Sequence, residues 1–394
     1  MKRLVGAVAV ASLALGAGQA FANDPIKIGL AIAKSGWMTT FDEDPSMALR
    51  IAVDDVNKAG GILGRQIELL EGDTKTDPAQ AFKVGTELVD AGIDFMVASC
   101  DFDMGAPAAM AGQNAGVPVM SICSGSPKWG PQGIGAMVYT ISIAVQAESY
   151  LIAEWGFERK GWKNAYAIKE TDYTFTRSQC AGFQERWKEL GGNFQGEDTY
   201  RVADTSIAVQ ITRIKALQPQ PDVIMLCSTL TAMPSVIRQL RAAGINAPLL
   251  STSGSDGDFW LQGLPGLNDV YLATHGSIYG DDPNPEVRSF MERFAEKCGR
   301  APTSSLALMG YSLIQAYKLA AERAGSVEAE AVVAELDKFD NEQLLIGPRS
   351  FTPEIHIQTQ LRGLIMQVKD SKMSSTGEYF TNQKKVPLAT MFQE

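Results

Sequence analysis

The feature that most limits how this chain can fold is an alternation of short apolar runs with longer segments of helical period, begun at Ile26 and begun again at Asn164. Short buried strands separated by amphipathic helices pack as βα units on a parallel sheet. Ile26–Ile32 reads as the first strand. A loop with Ser35-Gly36-Trp37 leads from it into a helix whose apolar face carries Ala48, Ala52, Val56 and Ala59, and Gly60-Gly61 supplies the helix stop. Gln66–Leu70 is the next strand. Asp77-Pro78 opens a helix, because Asp offers a capping carboxylate and Pro has its φ preset for the first turn. Asp94–Ala98, a short helix over Ala106–Asn114 and a strand over Gly116–Ile122 complete a series that repeats about every 25–30 residues, the length of a βαβ crossover.

The second series runs through a strand at Asn164–Ile168, helices at Thr176–Leu190 and Ile207–Leu217, a strand at Pro221–Leu226, a helix at Ala232–Ala243 and strands at Ala247–Ser251 and Tyr271–Thr274. A pattern that restarts predicts two similar lobes rather than one continuous sheet. Turn-rich Gly280–Pro285 then precedes helices at Glu286–Lys297, Ser304–Ala324 and Val327–Phe339, and beyond Gly347-Pro348 the chain becomes strand-like, as in Leu361–Val368. The fold class is therefore α/β with parallel sheets, and 394 residues are enough for two domains.

Residues 1–22 have the three parts of a secretory signal: Lys2 and Arg3, an apolar stretch from Leu4 to Leu15, and the small-x-small site Ala20-Phe21-Ala22. The apolar stretch is short of the ~20 residues of a membrane span. A mature chain beginning near Asn23 and released into a periplasm is expected. The formal net charge is −10, and loss of Lys2 and Arg3 makes it two more negative. This is opposite to the basic footprint of a nucleic-acid binder, so no nucleic-acid partner is expected. Of the five cysteines, Cys100 and Cys123 each follow a strand and a bridge between them is one reading. Buried or loop-lining free thiols are the preferred one.

Enzyme signatures are mostly missing. The two histidines, His275 and His356, stand in no H-E-x-x-H arrangement, and the chain has neither a G-x-S-x-G elbow nor a phosphate-binding G-x-x-x-x-G-K-[ST] loop. Gly60, Gly61 and Gly64 follow a helix and precede a strand, where they serve a stop and a turn. No cofactor and no metal are expected. Interest shifts to the loops beyond the carboxyl ends of the strands, where open parallel sheets bind ligands. In the first series they are Ser35–Trp37, Ser99–Asp103 and Cys123–Ser126. In the second they are Thr171–Tyr173, Ser228–Leu230 and Ser253–Asp256. Small hydroxyls, single acids and aromatics recur in them, the mixture of small-molecule pockets.

Ile26–Gly29, Ala48–Asn57 running into Lys58-Ala59-Gly60-Gly61-Ile62-Leu63-Gly64-Arg65-Gln66-Ile67-Glu68, and then Asp73 and Asp77-Pro78-Ala79 resemble the opening of periplasmic solute-binding proteins of the branched-chain amino-acid type. Asp281–Pro285 before a helix and Tyr311 within an apolar one extend the resemblance over nearly the whole mature chain. It implies a type I binding-protein fold, in which two lobes joined by a three-stranded hinge close on a small solute and present it to the permease and ATPase subunits of an importer. By the same resemblance the crossovers fall near Thr140–Val145, His275–Asp281 and Ile346–Phe351. Lobe one is then residues 23–142 with 279–347, and lobe two 143–278 with 348–394.

The implied ligand site comprises Trp37, Cys100, Asp101, Phe102, Cys123, Ser124, Gly125, Asp172, Tyr173, Thr229 and Asp256. Family members that take α-amino acids hold the carboxylate with a hydroxyl and backbone N–H groups, and the ammonium with an acid of lobe two. This chain has Phe102 and Gly125 where hydroxyls are usual, and its acid is displaced to Asp256. Backbone donors keep an acid ligand in play, and Trp37, Phe102 and Tyr173 favour an aromatic or extended apolar group. The expected protein is a monomer without catalysis. A ligand sensor for a receptor, and a periplasmic hydrolase working through Ser or Asp in the same loops, are the alternatives.

Overall fold

A computed structural model describes residues 24–392, so the signal segment lies outside the described residues. Strands β1 (Ile26–Ile32), β2 (Ile67–Asp73), β3 (Phe95–Ala98), β4 (Val119–Ser121) and β5 (Val138–Thr140) form one parallel sheet in the order β2-β1-β3-β4-β5. Helices α1 (Thr39–Lys58), α2 (Pro78–Asp90) and α3 (Phe102–Ala115) are its crossovers. Successive strand side chains point to opposite faces, and the core follows that rule. Ile28, Leu30, Phe95 and Val97 pack on α1, whereas Ala31, Met96 and Ala98 pack on α2 and α3. Asp77 caps α2 as its sequence position predicts, accepting from the Gln80 N–H at 2.7 Å.

The second sheet begins after α4 (Val145–Arg159). It takes β6 (Asn164–Glu170), α5 (Thr174–Glu189), β7 (Asn193–Tyr200), α6 (Ala208–Ala216), β8 (Val223–Cys227), α7 (Met233–Ala242), β9 (Leu249–Ser251) and β10 (Val270–Thr274). The chain then returns to the first sheet with α8 (Pro285–Cys298), α9 (Ala307–Ala324), α10 (Ala329–Leu336) and the small hairpin β11 (Glu342–Leu344) with β12 (Gly347–Arg349). It ends in β13 (Arg362–Lys369), β14 (Lys372–Thr381) and α11 (Leu388–Met391). The second sheet has the order β14-β13-β10-β9-β8-β6-β7, and β13 and β14 join it antiparallel. The chain thus crosses between sheets after Thr140, after Thr274 and after Arg349. The first and third crossings are bonded to each other, Thr140 N–H to the His356 carbonyl at 3.1 Å and Ala144 N–H to the Gln358 carbonyl at 2.9 Å.

Close approach requires glycine at Gly61 and Gly310, among other positions. At Gly61, with φ +83°, an added Cβ would lie 1.9 Å from the Arg65 carbonyl oxygen, which confirms the tight turn after α1. At Gly310 it would lie 1.8 Å from the Pro45 carbonyl oxygen, so α9 packs on α1 only because no side chain intervenes.

The preference for free thiols is corrected here. Cys100 is bonded to Cys123 and Cys180 to Cys227, with Cα atoms 4.5 and 5.7 Å apart, and Cys298 alone stays free. Neighbouring parallel strands β3 and β4 bring the first pair together, and α5 packed on β8 brings the second. Among the described residues no helix is long and apolar enough to cross a membrane.

Candidate functional site

The carboxyl ends of β3 and β4 open into two loops that the sequence ties down from behind. Asp42, in the first turn of α1 and fully buried, accepts from the Ala33 N–H at 2.7 Å, the Ser99 hydroxyl at 2.6 Å and the Cys100 N–H at 2.8 Å. Ser121 Oγ donates to the Ser99 carbonyl and accepts from the Ser124 N–H, both at 3.0 Å. The Cys100–Cys123 disulfide joins the loops directly. Asp101 caps α3, accepting from the Asp103 N–H at 2.9 Å and the Met104 N–H at 3.2 Å. No hydrogen bond within the described residues engages the N–H of Phe102 or Gly125 on this wall.

The facing wall belongs to the second sheet. Buried Glu170 holds Thr229 through its N–H at 2.8 Å and its hydroxyl at 2.9 Å, and buried Glu148 holds Ser253 through its N–H at 3.1 Å and its hydroxyl at 2.8 Å. Gly254 lets the Phe175 ring lie close, since a Cβ there would meet that ring at 2.8 Å. The cleft between the walls encloses about 610 Å³ with its mouth included. Its lining has eight of the expected residues, Trp37, Cys100, Asp101, Phe102, Cys123, Ser124, Gly125 and Thr229.

The remaining three lie elsewhere. Tyr173 lies outside the lining, with its ring 5.2 Å from that of Trp37. Asp172 is exposed and turns its carboxylate to the Val202 N–H at 2.8 Å. Asp256 is buried and accepts from the Ser305 N–H at 2.7 Å and the Gly257 N–H at 2.7 Å, so its role is to bind the loop after β9 to the segment before α9. Met38, Phe41, Phe175 and Leu306 line the cleft without having been read from sequence. Phe41 had a usable signal, because it lies one helical turn beyond Trp37 and shares its face.

The electrostatics are those of an acid-lined apolar slot. Asp101 is the one charged residue of the lining among the described residues. Burial, reinforced by the charges of Asp103 and Asp42, pushes its carboxyl up to about 7, and burial pushes Asp42 up to about 6 against three hydrogen bonds that lower it. An acid whose folded pKa is raised stabilises the fold fully below its unfolded value and loses that contribution as pH rises through the folded value. Asp42 and Asp101 are therefore expected to lower the melting temperature between about pH 4 and pH 7. Melts across that range on the wild type and on an Asp42→Asn/Asp101→Asn variant check this, and a slope equally steep in both would refute it. Glu71, held down to about 2 mainly by its hydrogen bond from Arg50, acts only at the acid end.

The two walls touch. Asp103, in the first turn of α3, accepts from the Thr174 N–H at 3.1 Å and its hydroxyl at 3.2 Å, at the start of α5. With the Trp37–Tyr173 ring contact this closes the mouth of the slot.

Comparison with known proteins accounts for this architecture. The family model described as periplasmic binding protein matches residues 25–373, and the chain belongs to that family. A Leu/Ile/Val-binding protein, BraC3, of Rhizobium johnstonii is 24% identical over 84% of this chain and 87% of its own length. A leucine-, isoleucine-, valine-, threonine- and alanine-binding protein of Pseudomonas aeruginosa is 23% identical over 85% and 87%. The crystal structure of a leucine binding protein, LivK, of Thermotoga maritima superposes with a TM-score of 0.76 at 20% identity, covering 91% of this chain and 99% of that one. A solute-binding protein of an R. palustris ABC transporter, crystallised in complex with benzoate, gives 0.72 at 18% identity over 92% and 99%. The type I periplasmic binding fold expected from the sequence is thus shown, and by its family the chain is a periplasmic binding protein.

Proposed function

We propose that the mature chain, exported to the periplasm by residues 1–22, captures a small carboxylate or amino acid with an aromatic or extended apolar group and delivers it to separate permease and ATPase subunits of an importer. Lobe one, residues 23–142 with 279–347, and lobe two, residues 143–278 with 348–394, close on it as a monomer. Neither a cofactor nor a nucleic acid takes part. The observation that carries this reading is the lining: rings of Trp37, Phe41, Phe102 and Phe175 from both walls, no cationic side chain among the described lining residues, and unengaged N–H groups at Phe102 and Gly125. Aromatic rings supply apolar contact at little entropic cost, and two backbone donors, one of them at the start of α3, suit one carboxylate. Relatives that bind leucine, isoleucine and valine, and a structural neighbour holding benzoate, fit the same class.

Thermal melts of the mature, ligand-stripped protein against amino acids, aromatic acids, short amides, purines and small dicarboxylates test the reading. A solute at a thousand times its Kd stabilises by about 4 kcal/mol. The expected result is a shift of several degrees with aromatic or branched apolar acids and none with purines or dicarboxylates. A response confined to purines or dicarboxylates would overturn it.

The Asp103–Thr174 contact is expected to hold the closed state. Replacing Asp103 with Ala removes one charge-assisted pair, about 1–2 kcal/mol, so Kd for the bound acid should rise roughly tenfold, mainly through faster release. Stopped-flow Trp37 fluorescence reads both rates, and an unchanged release rate would show that the contact does not latch the lobes.

A further inference from the structure

The two disulfides occupy different physical situations. Cys180 and Cys227 are fully buried within the core beneath the second sheet. Cys100 is partly exposed and Cys123 is 5% exposed, so Cys100 is the reachable side of the bond, and both residues line the cleft. The bond between them spans the two loops on which the lobe-one half of the cleft is built, one carrying Asp101 and Phe102, the other Ser124 and Gly125. Apart from this bond the loops are coupled mainly through Ser121, whose hydroxyl reaches Ser99 on one side and Ser124 on the other. A cross-link between two short loops restricts their relative motion, and an exposed one is open to an attacking thiolate whereas a buried one is not.

We propose that Cys100–Cys123 is a thiol-exchange site within the binding cleft: a small dithiol reductant entering the open cleft opens this bond selectively, releases the two loops from each other and weakens solute capture. The balance is simple. A reductant thiolate attacks one cysteine sulfur and forms a mixed disulfide, its second thiol resolves that bond, and the reductant leaves as its own disulfide. Two electrons and two protons end on Cys100 and Cys123 as thiols. Because the bond lies in the lining, a solute seated in the cleft shields it, and by linkage the bond state and the solute affinity bias each other. The proposal rests on the cleft being the binding site, but its first readouts need no solute.

The experiment treats the full mature chain with dithiothreitol under native conditions, alkylates with iodoacetamide and maps the labelled cysteines by mass spectrometry. Cys100 and Cys123 should label together at least about tenfold faster than Cys180 and Cys227. Hydrogen–deuterium exchange should then rise about tenfold over residues 100–104 and 123–126 and stay unchanged in the strands. A Cys100→Ser/Cys123→Ser variant should reproduce that exchange pattern with no reductant present. Equal labelling of both pairs, earlier labelling of Cys180 and Cys227, or unchanged loop exchange in the variant would overturn the proposal. Benzoate, L-phenylalanine and L-leucine are titrated separately into the oxidised protein. If none binds, the cargo reading fails while the labelling and exchange results still decide this one. If one binds, it should slow labelling of Cys100 and Cys123, and an occupied cleft that labels at the unliganded rate would also overturn the proposal.

Discussion

Replacing Asp42 with Ala is expected to destabilise the first lobe by about 3 kcal/mol and to abolish measurable solute binding, although Asp42 does not line the cleft. The reasoning is one of stranded donors. The carboxylate receives the Ala33 N–H, the Ser99 hydroxyl and the Cys100 N–H in a fully buried place, and Ala leaves all three without an acceptor. Each buried unpaired donor costs about 1–3 kcal/mol, and relief of the carboxylate's own burial offsets part of the sum. The same three bonds tie β1 and β3 to α1 and fix Cys100, the start of the cleft wall. Asp42→Asn keeps the size and one acceptor oxygen, so its loss should be roughly 1 kcal/mol. Chemical denaturation with a lobe-one probe measures the difference. Equal stability of the Ala and Asn variants would show that the buried bonds carry no load.

Much of the fold was legible because most elements obey one period. Strands β1, β3 and β4 are apolar runs, and α2, α7 and α8 each bury one stripe, so alternation and capping residues place them within a few positions of their observed ends. What escaped reading broke that rule. In α4, Val145–Gly156 is buried on every side, so it carries no amphipathic signal to detect. Strand β7 is an edge strand with the polar sequence Asn193–Tyr200, and β5 has only three residues. The Cys100–Cys123 bond was one of two readings, but the Cys180–Cys227 bond escaped because pairing follows spatial adjacency of elements, and those two residues lie 47 residues apart.

The site was half legible for a related reason. Loops after strands can be found from the βα pattern, which is how Cys100, Phe102, Cys123 and Thr229 were reached. Which way a loop side chain points cannot be. Asp172 and Asp256 sit in the right loops, yet each is spent on a backbone N–H away from the cleft. Phe175 and Leu306 reach the cleft from the start of α5 and the approach to α9, through packing between lobes that no local pattern encodes.

That contrast sets the sharpest test of where solute binds. Trp37 lines the cleft and its ring also meets Tyr173 of the facing wall at 5.2 Å, so Trp37→Ala removes both a wall of the slot and a contact between the two walls. Burying an aromatic ring and pairing it with another contributes about 2–3 kcal/mol, which converts to a Kd raised roughly 30- to 150-fold. Tyr173→Phe keeps the ring and should change affinity little. Asp172→Ala should change it less than about twofold, because its carboxylate holds the Val202 N–H outside the cleft. Calorimetric titration of the three variants with whichever acid stabilises the wild type reads the order directly. If Asp172→Ala were the damaging change and Trp37→Ala the neutral one, solute would bind at the outer loops of lobe two, and the cleft between the lobes would not be the site.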